Sequence, residues 1–245
     1  MRISYKMAWY IVSAARVTAL AAAGFNFFLI IYQTDAQVDA ALAAIPFGGM
    51  GVVLLNGDDT AKETQVTRLK DYGSVYGFLI TDEANLVPEP TIKQMSDYNA
   101  VKVIAPSKYV FASYHIEPTG VRNPESVVRE GGKAYDYVFL NFYPCTWGRS
   151  DKEAGAALES ACAAARAFFP GTCPIIPMEQ AAGCTSDTPG RCRPINGLLQ
   201  AQHNIWVAAG LMPLGAVGWY GDATNPENEN LSSSSALLAE ASAVS

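Results

Sequence analysis

Apolar residues along the chain gather into eight short runs rather than a helical or alternating rhythm. They fall at 3–10, 25–32, 51–56, 75–81, 109–116, 136–143, 173–179 and 214–221, and are rich in Val, Ile, Phe and Tyr. Runs that are apolar throughout, with no polar residue at every second place, read as strands buried on both faces. Between them lie amphipathic or Ala-rich stretches that read as helices: 13–23, 35–44, 60–71, 91–98, 124–132, 151–168, 194–209 and 231–241. Several carry end signals. Ser13 is placed to cap the first and Gly24 to stop it, Asp35 opens the second, Asp151 opens the sixth, and Gly210 closes the seventh. Strand followed by helix, eight times over, predicts an α/β fold: one (β/α)8 TIM barrel spanning residues 1–245 as a single domain. A doubly wound open sheet is the competitor, but it wants a Gly-rich phosphate loop after an early strand. "FGGMG" (47–51) precedes its strand instead and does not fit G-x-G-x-x-G.

In such a barrel, chemistry sits where strands hand over to the loops that follow them. The residues expected there are Trp9 after strand 1, Tyr32 after strand 2 and Asn56 after strand 3. Strand 4 offers Asp82, Glu83 and Asn85, and strand 5 offers His115. Strand 6 offers Asn141, Tyr143 and, in its loop, Trp147. Strand 7 ends in Glu179 and Gln180, and strand 8 in Trp219. Aromatic rings beside carboxyl groups suit a sugar, whose C–H faces stack on rings while its hydroxyls need directed acceptors. Cleaving a glycosidic bond takes two carboxyl groups, one as acid and one as nucleophile or base.

Composition narrows the picture. The chain has 245 residues, is 50% hydrophobic and only 16% charged, and its net charge is −6 without a Lys/Arg cluster. Neither a nucleic-acid nor an anionic-membrane partner is expected. No apolar run reaches the ~20 residues of a membrane span without a charge or break. The N-terminus has the basic-then-apolar layout of a signal peptide, but Arg16 interrupts the apolar run and the segment reads as strand plus helix. The five cysteines form no C-x-x-C pair and only two histidines are present, so no metal site is expected. Cys184 with Cys192, and Cys162 with Cys173, are placed for disulfides that would leave Cys145 over and imply an oxidising compartment. There is no G-x-S-x-G, H-E-x-x-H or Walker loop.

Carboxylates ending strands 4 and 7 resemble those of the clan A retaining glycoside hydrolases. The resemblance implies a (β/α)8 barrel in which Glu83 is the acid/base and Glu179 the nucleophile. It also implies that Tyr143 in "NFYP" hydrogen-bonds the nucleophile and that Trp219 in "GWYG" floors the sugar site. One departure stands out: the family usually has Asn immediately before the strand 4 Glu, and this chain has Asp82. An adjacent Asp-Glu pair also resembles the substrate-assisted hexosaminidases, where the Asp orients the substrate's acetamido group. A third reading is a non-catalytic carbohydrate-binding barrel.

The expected reaction is hydrolysis with retention, on an extracellular poly- or oligosaccharide, by a monomer needing no cofactor. Two carboxyl groups ~5–5.5 Å apart would fit retention. Glu83 must keep its proton near neutral pH, which the negative Asp82 and Glu179 would favour. Against this stand plainer roles: Asp82 and Glu83 as helix-capping acids, Trp9, Tyr143 and Trp219 as core, His115 as a hydrogen-bonding residue and His203 as a structural one.

Overall fold

The computed structural model describes residues 5–11, 13–86, 90–145, 149–181, 183–184, 197–211, 216–220, 228–229 and 234–244. Eight parallel strands run through it: β1 (Tyr5–Ile11), β2 (Phe27–Ile31), β3 (Met50–Leu54), β4 (Val75–Leu79), β5 (Tyr109–Glu117), β6 (Tyr137–Asn141), β7 (Ile175–Gln180) and β8 (Ala216–Tyr220). The helices are α1 (Ala14–Ala22), α2 (Asp35–Ala43), α3 (Asp59–Leu69), α4 (Thr91–Ile104), α5 (Asp151–Phe168), α6 (Leu198–Ala208) and α7 (Ser235–Ala243). Neighbours in sequence pair side by side, and β1 also pairs with β8. The sheet curls, and β4 pairs with β5 through Gly77–Tyr109, Phe78–Val110 and Leu79–Phe111. Gly77 makes that last approach possible. A Cβ there would lie 2.2 Å from the Tyr109 carbonyl oxygen, so only glycine lets β4 come in to its partner.

Continuous apolarity is explained by two cores, one on each face of the sheet. Met7, Trp9, Phe27, Leu29, Val52, Leu79, Phe111, Phe139, Ile176 and Met178 fill the inner face. The alternate residues, among them Ala8, Phe28, Ile30, Val53, Phe78, Val110, Val138 and Ile175, pack under the helices. Inside, Trp9 meets Phe139 edge-on at 4.6 Å, and Phe111 stacks on Phe139 at 5.1 Å. Such pairs add to the burial of their large areas.

Local signals explain the helix ends. Ser13 caps α1 by accepting from the Arg16 N–H. Ser150 and Glu153 form a reciprocal capping box at α5. The sequence misleads in the fifth unit, where 124–132 does not form a helix. Beyond β5 the chain turns back as a short antiparallel pair, Gly120–Val121, and makes only a 3-10 turn at Pro124–Ser126. Val127 is extended and buried, and the Val128 N–H goes to the Tyr114 hydroxyl at 3.2 Å rather than to a helical carbonyl. In the fourth unit the helix runs past 98 to Ile104, carried by buried Val101 and half-buried Ile104. Among the described residues no helix is long and apolar enough to cross a membrane.

The expected disulfide between Cys162 and Cys173 is absent. Cys162 and Cys173 are buried free thiols, and Cys173 Sγ instead sits 3.4 Å from the Tyr135 hydroxyl; Cys145 is buried as well. The partner proposed for Cys184, Cys192, lies outside the described residues.

Candidate active site at the carboxyl end of the sheet

Glu83 is the centre of the mouth. It follows β4 on the inner face, where side chains from three strands converge. Its Oε1 accepts from Asn141 Nδ2 at 3.2 Å and from the Tyr143 hydroxyl at 3.4 Å, and His115 Nδ1 stands 3.5 Å away. Asn141 is itself held by Ser113, whose Oγ lies 3.0 Å from the same Nδ2. The His115 ring tilts over that of Tyr143, with 5.9 Å between centroids. Glu83 and His115 side chains keep 17% and 14% of their surface, enough for a small group to reach them. This is a carboxyl group steered by neutral donors, suited to giving and taking a proton.

The backbone at Glu83 is unusual. Its φ is +47°, and among the described residues only Asn123, at +43°, is another non-glycine with positive φ. A left-handed non-glycine costs roughly 1–3 kcal/mol and persists only where the surroundings impose it. They do so here. The Ala84 N–H bonds the Ser113 carbonyl at 3.0 Å, and the Asn85 amide is tied on both sides to β5 and its hairpin.

Glu179 does not join this site. Along β7, Ile176 and Met178 face inward while Ile175 and Ala181 face the helices, and Glu179 shares the outward set. It is wholly buried there, with Oε1 3.1 Å from Nδ1 of His203 on α6. Its charge also reaches α5: the Cys162 thiol is pushed up to about 12, first by burial and then by Glu159 and Glu179. The expectation that Tyr143 would bond Glu179 is corrected in the same way, because the Tyr143 hydroxyl donates to Glu83.

Other expected site residues divide similarly. Asn85 is completely buried and its side-chain amide is spent on backbone groups, so it is a clasp and not a sugar contact. Gln180 grips the Cys145 backbone, accepting from its N–H at 2.9 Å and donating to its carbonyl at 3.0 Å. Tyr32 points to the outer layer, its hydroxyl donating to Asp35 and accepting from Arg68 Nε. Trp9 is 3% exposed and plugs the inner core. Asn56 is exposed after β3, its side-chain oxygen taken by the Gly57 N–H. Trp147 and the Trp219 side chain lie outside the described residues; the Trp219 backbone is in register with Ala8 and Glu179. Ser113 and Asn123 were not anticipated. Ser113 had a faint signal, a small polar residue inside an apolar run. No group of three or more His, Cys, Asp or Glu among the described residues is placed to hold a metal ion.

No family model matches the chain, and no curated protein matches it in sequence. Solved structures do. It is similar to the β-galactosidase of the Antarctic haloarchaeon Halorubrum lacusprofundi, with TM-score 0.70 and 11% identity over 99% of this chain and 57% of that one. It is similar to the β-galactosidase of the psychrophilic Marinomonas ef1, at 0.66 and 9% over 97% and 58%. It is also similar to the β-1,4-D-mannanase of Cryptopygus antarcticus, at 0.56 and 11% over 97% and 89%. The chain thus spans somewhat over half the length of either galactosidase. At these identities the likeness establishes a shared fold, an α/β architecture around a curled parallel sheet.

Proposed function

We propose that the chain is a glycoside hydrolase on a (β/α)8 barrel, cleaving O-glycosidic bonds of a poly- or oligosaccharide, with Glu83 as its acid/base. The observation that carries this reading is the Glu83 carboxyl group: inward-facing, partly exposed, bonded by Asn141 and Tyr143, and carried on a left-handed backbone tied to β5 through Ala84 and Asn85. The likeness to a mannanase and two galactosidases supports the substrate class. In the forward step Glu83 protonates the leaving oxygen while a nucleophile, a second carboxylate or the substrate's own acetamido oxygen, bonds to the anomeric carbon, so that the departing group leaves as a neutral alcohol. The ionised Glu83 then takes a proton from the water that displaces that nucleophile. Asn141 and Tyr143 fix its aim. Glu179 has no part in the reaction as we draw it, since its carboxylate is on the other side of the sheet under α6.

A second reading has one observation in its favour: Asp82 adjoins Glu83 whereas Glu179 faces the helices. That arrangement suits substrate assistance, with Asp82 orienting an acetamido group.

The test is hydrolysis of 4-nitrophenyl β-galactoside, β-glucoside, β-mannoside and β-N-acetylglucosaminide, and of β-mannan, by wild type and Glu83→Gln. We expect cleavage of at least one substrate and a loss of roughly 10²–10⁴-fold in Glu83→Gln, the usual contribution of a positioned acid/base. Binding without any turnover, or full activity in Glu83→Gln, would sink the proposal. Loss confined to the N-acetylated substrate in Asp82→Asn would move it to the second reading.

A further inference from the structure

The backbone conformation of Glu83 has a visible cause two residues on. Asn85 is fully buried, and its side-chain amide makes three hydrogen bonds to β5 and the hairpin beyond it. Its Nδ2 donates to the His115 carbonyl at 2.8 Å and to the Arg122 carbonyl at 2.6 Å. Its Oδ1 accepts from the His115 N–H at 2.7 Å. Its own carbonyl accepts from Asn123 Nδ2 at 2.6 Å. The residues after Glu83 are therefore sewn to β5 and to the hairpin beyond it, while β4 before it is fixed in the sheet. Glu83 is the link between two fixed segments, and its left-handed φ is how the chain spans them. Asn123, the other left-handed non-glycine, is the far end of the same clasp.

We propose that Asn85 is a positioning residue for the proton donor: its amide, with Asn123, imposes the backbone that aims the Glu83 carboxyl group at Asn141 and Tyr143. This rests on the reading of Glu83 as the acid. The chemistry requires an amide. Two donors and one acceptor are used at once, and an aspartate of the same shape would turn an anionic oxygen toward two carbonyl oxygens.

The experiment compares leaving groups. Protonation matters for a poor leaving group such as phenol and hardly at all for 2,4-dinitrophenol, which departs as a stable anion. Phenyl and 2,4-dinitrophenyl glycosides of one sugar are therefore assayed with wild type, Glu83→Gln, Asn85→Asp, Asn123→Gly and Glu83→Gln/Asn85→Asp. Asn123→Gly keeps the left-handed backbone available, removes one hydrogen bond, and serves if Asn85→Asp does not fold. We expect Asn85→Asp to lose on the order of 10²-fold in kcat/KM on the phenyl glycoside, the scale of a catalytic group misplaced by about 1 Å. On the dinitrophenyl glycoside kcat/KM, which reports only the departure of the leaving group, should stay near that of wild type. Asn123→Gly should show the same selectivity more weakly. The double variant should be no worse than Glu83→Gln, because Asn85 acts through Glu83. Crystals of Asn85→Asp or Asn123→Gly should show residue 83 leaving positive φ. If Glu83→Gln shows the leaving-group pattern and both clasp variants match wild type, or lose equally on both substrates, the positioning role is wrong. An unmoved residue 83 would overturn it without reference to activity. If Glu83→Gln itself lacks the pattern, the reading of Glu83 fails first.

Discussion

Glu83 and Glu179 both close an apolar strand, both are followed within two residues by an amide side chain, and in sequence they look like partners. In space they are opposites. Glu83 faces inward, keeps contact with solvent, and stands among neutral donors on a strained backbone. Glu179 faces outward, is fully buried, lies on regular strand and is hydrogen-bonded to His203. The difference teaches that reaching the carboxyl end of a parallel strand is not enough; the side of the sheet decides between chemistry and packing. A buried carboxylate bonded to a histidine belongs to the packing, and removing it leaves a buried partner stranded. An aimed, half-open carboxyl group sacrifices local backbone comfort for position.

The comparison breaks most sharply at Glu83. Replacing it with Gln should cost roughly 10²–10⁴-fold in kcat/KM on unactivated glycosides, with the melting temperature little changed, because the amide keeps the shape and remains among Asn141 and Tyr143. At Glu179 the expectation is reversed. Glu179→Ala should lose ~2–4 kcal/mol of stability, from the cavity left by the side chain and the hydrogen bond taken from buried His203, measured by urea unfolding. Folded Glu179→Ala should keep near wild-type kcat. A large fall in kcat with unchanged stability would return Glu179 to the reaction.

A third test sharpens the contrast from the neighbouring helix. Cys162 is buried in the layer that holds Glu179, and its thiol is pushed up to about 12. A thiol harder to ionise folded than unfolded contributes stability that is intact below pH ~9 and is lost as the pH rises toward about 12. At pH 8 its reaction with a disulfide reagent should therefore run no faster than unfolding, with Cys145 and Cys173 equally buried. Rapid labelling of Cys162 in the folded protein would mean that the outer layer is open.

How much of this was legible follows from the two-sided burial of the sheet. Strand–helix alternation could be read because each change of element is marked by residues such as Ser13, Asp35 and Asp151. The fifth unit could not, since Val127 and Val128 fit a helical pattern and a buried extended chain equally well. The mouth was legible as an inventory: Glu83, His115, Asn141 and Tyr143 were all expected at strand ends, and they do meet. The side of the sheet was not. Where inner and outer faces are both apolar the period-2 alternation disappears, so "CPIIPMEQ" gives no hint that Met178 points in and Glu179 out. The clasp was hidden for another reason. Asn85 bonds residues 30 and 37 positions away, and no local pattern records such pairings.

The smallest expected effect uses the same substitution at the second carboxylate. In Glu179→Gln the side chain keeps its length, and whichever tautomer His203 adopts, the amide can answer it: the NH2 group donates to a bare Nδ1, or the carbonyl oxygen accepts from Nδ1–H. The hydrogen bond at 3.1 Å therefore has a replacement, no cavity opens, and a charge is removed from a site where burying one is costly. Stability should shift by no more than ~1 kcal/mol, and kcat/KM should stay within a few-fold of wild type on every substrate of the panel. The identical chemical change, Glu to Gln, would then abolish the rate at one strand end and pass almost unnoticed at another. If Glu179→Gln instead matched the loss of Glu83→Gln, outward burial would not have excluded Glu179 from the chemistry, and the contrast between the two strand ends would fall with it.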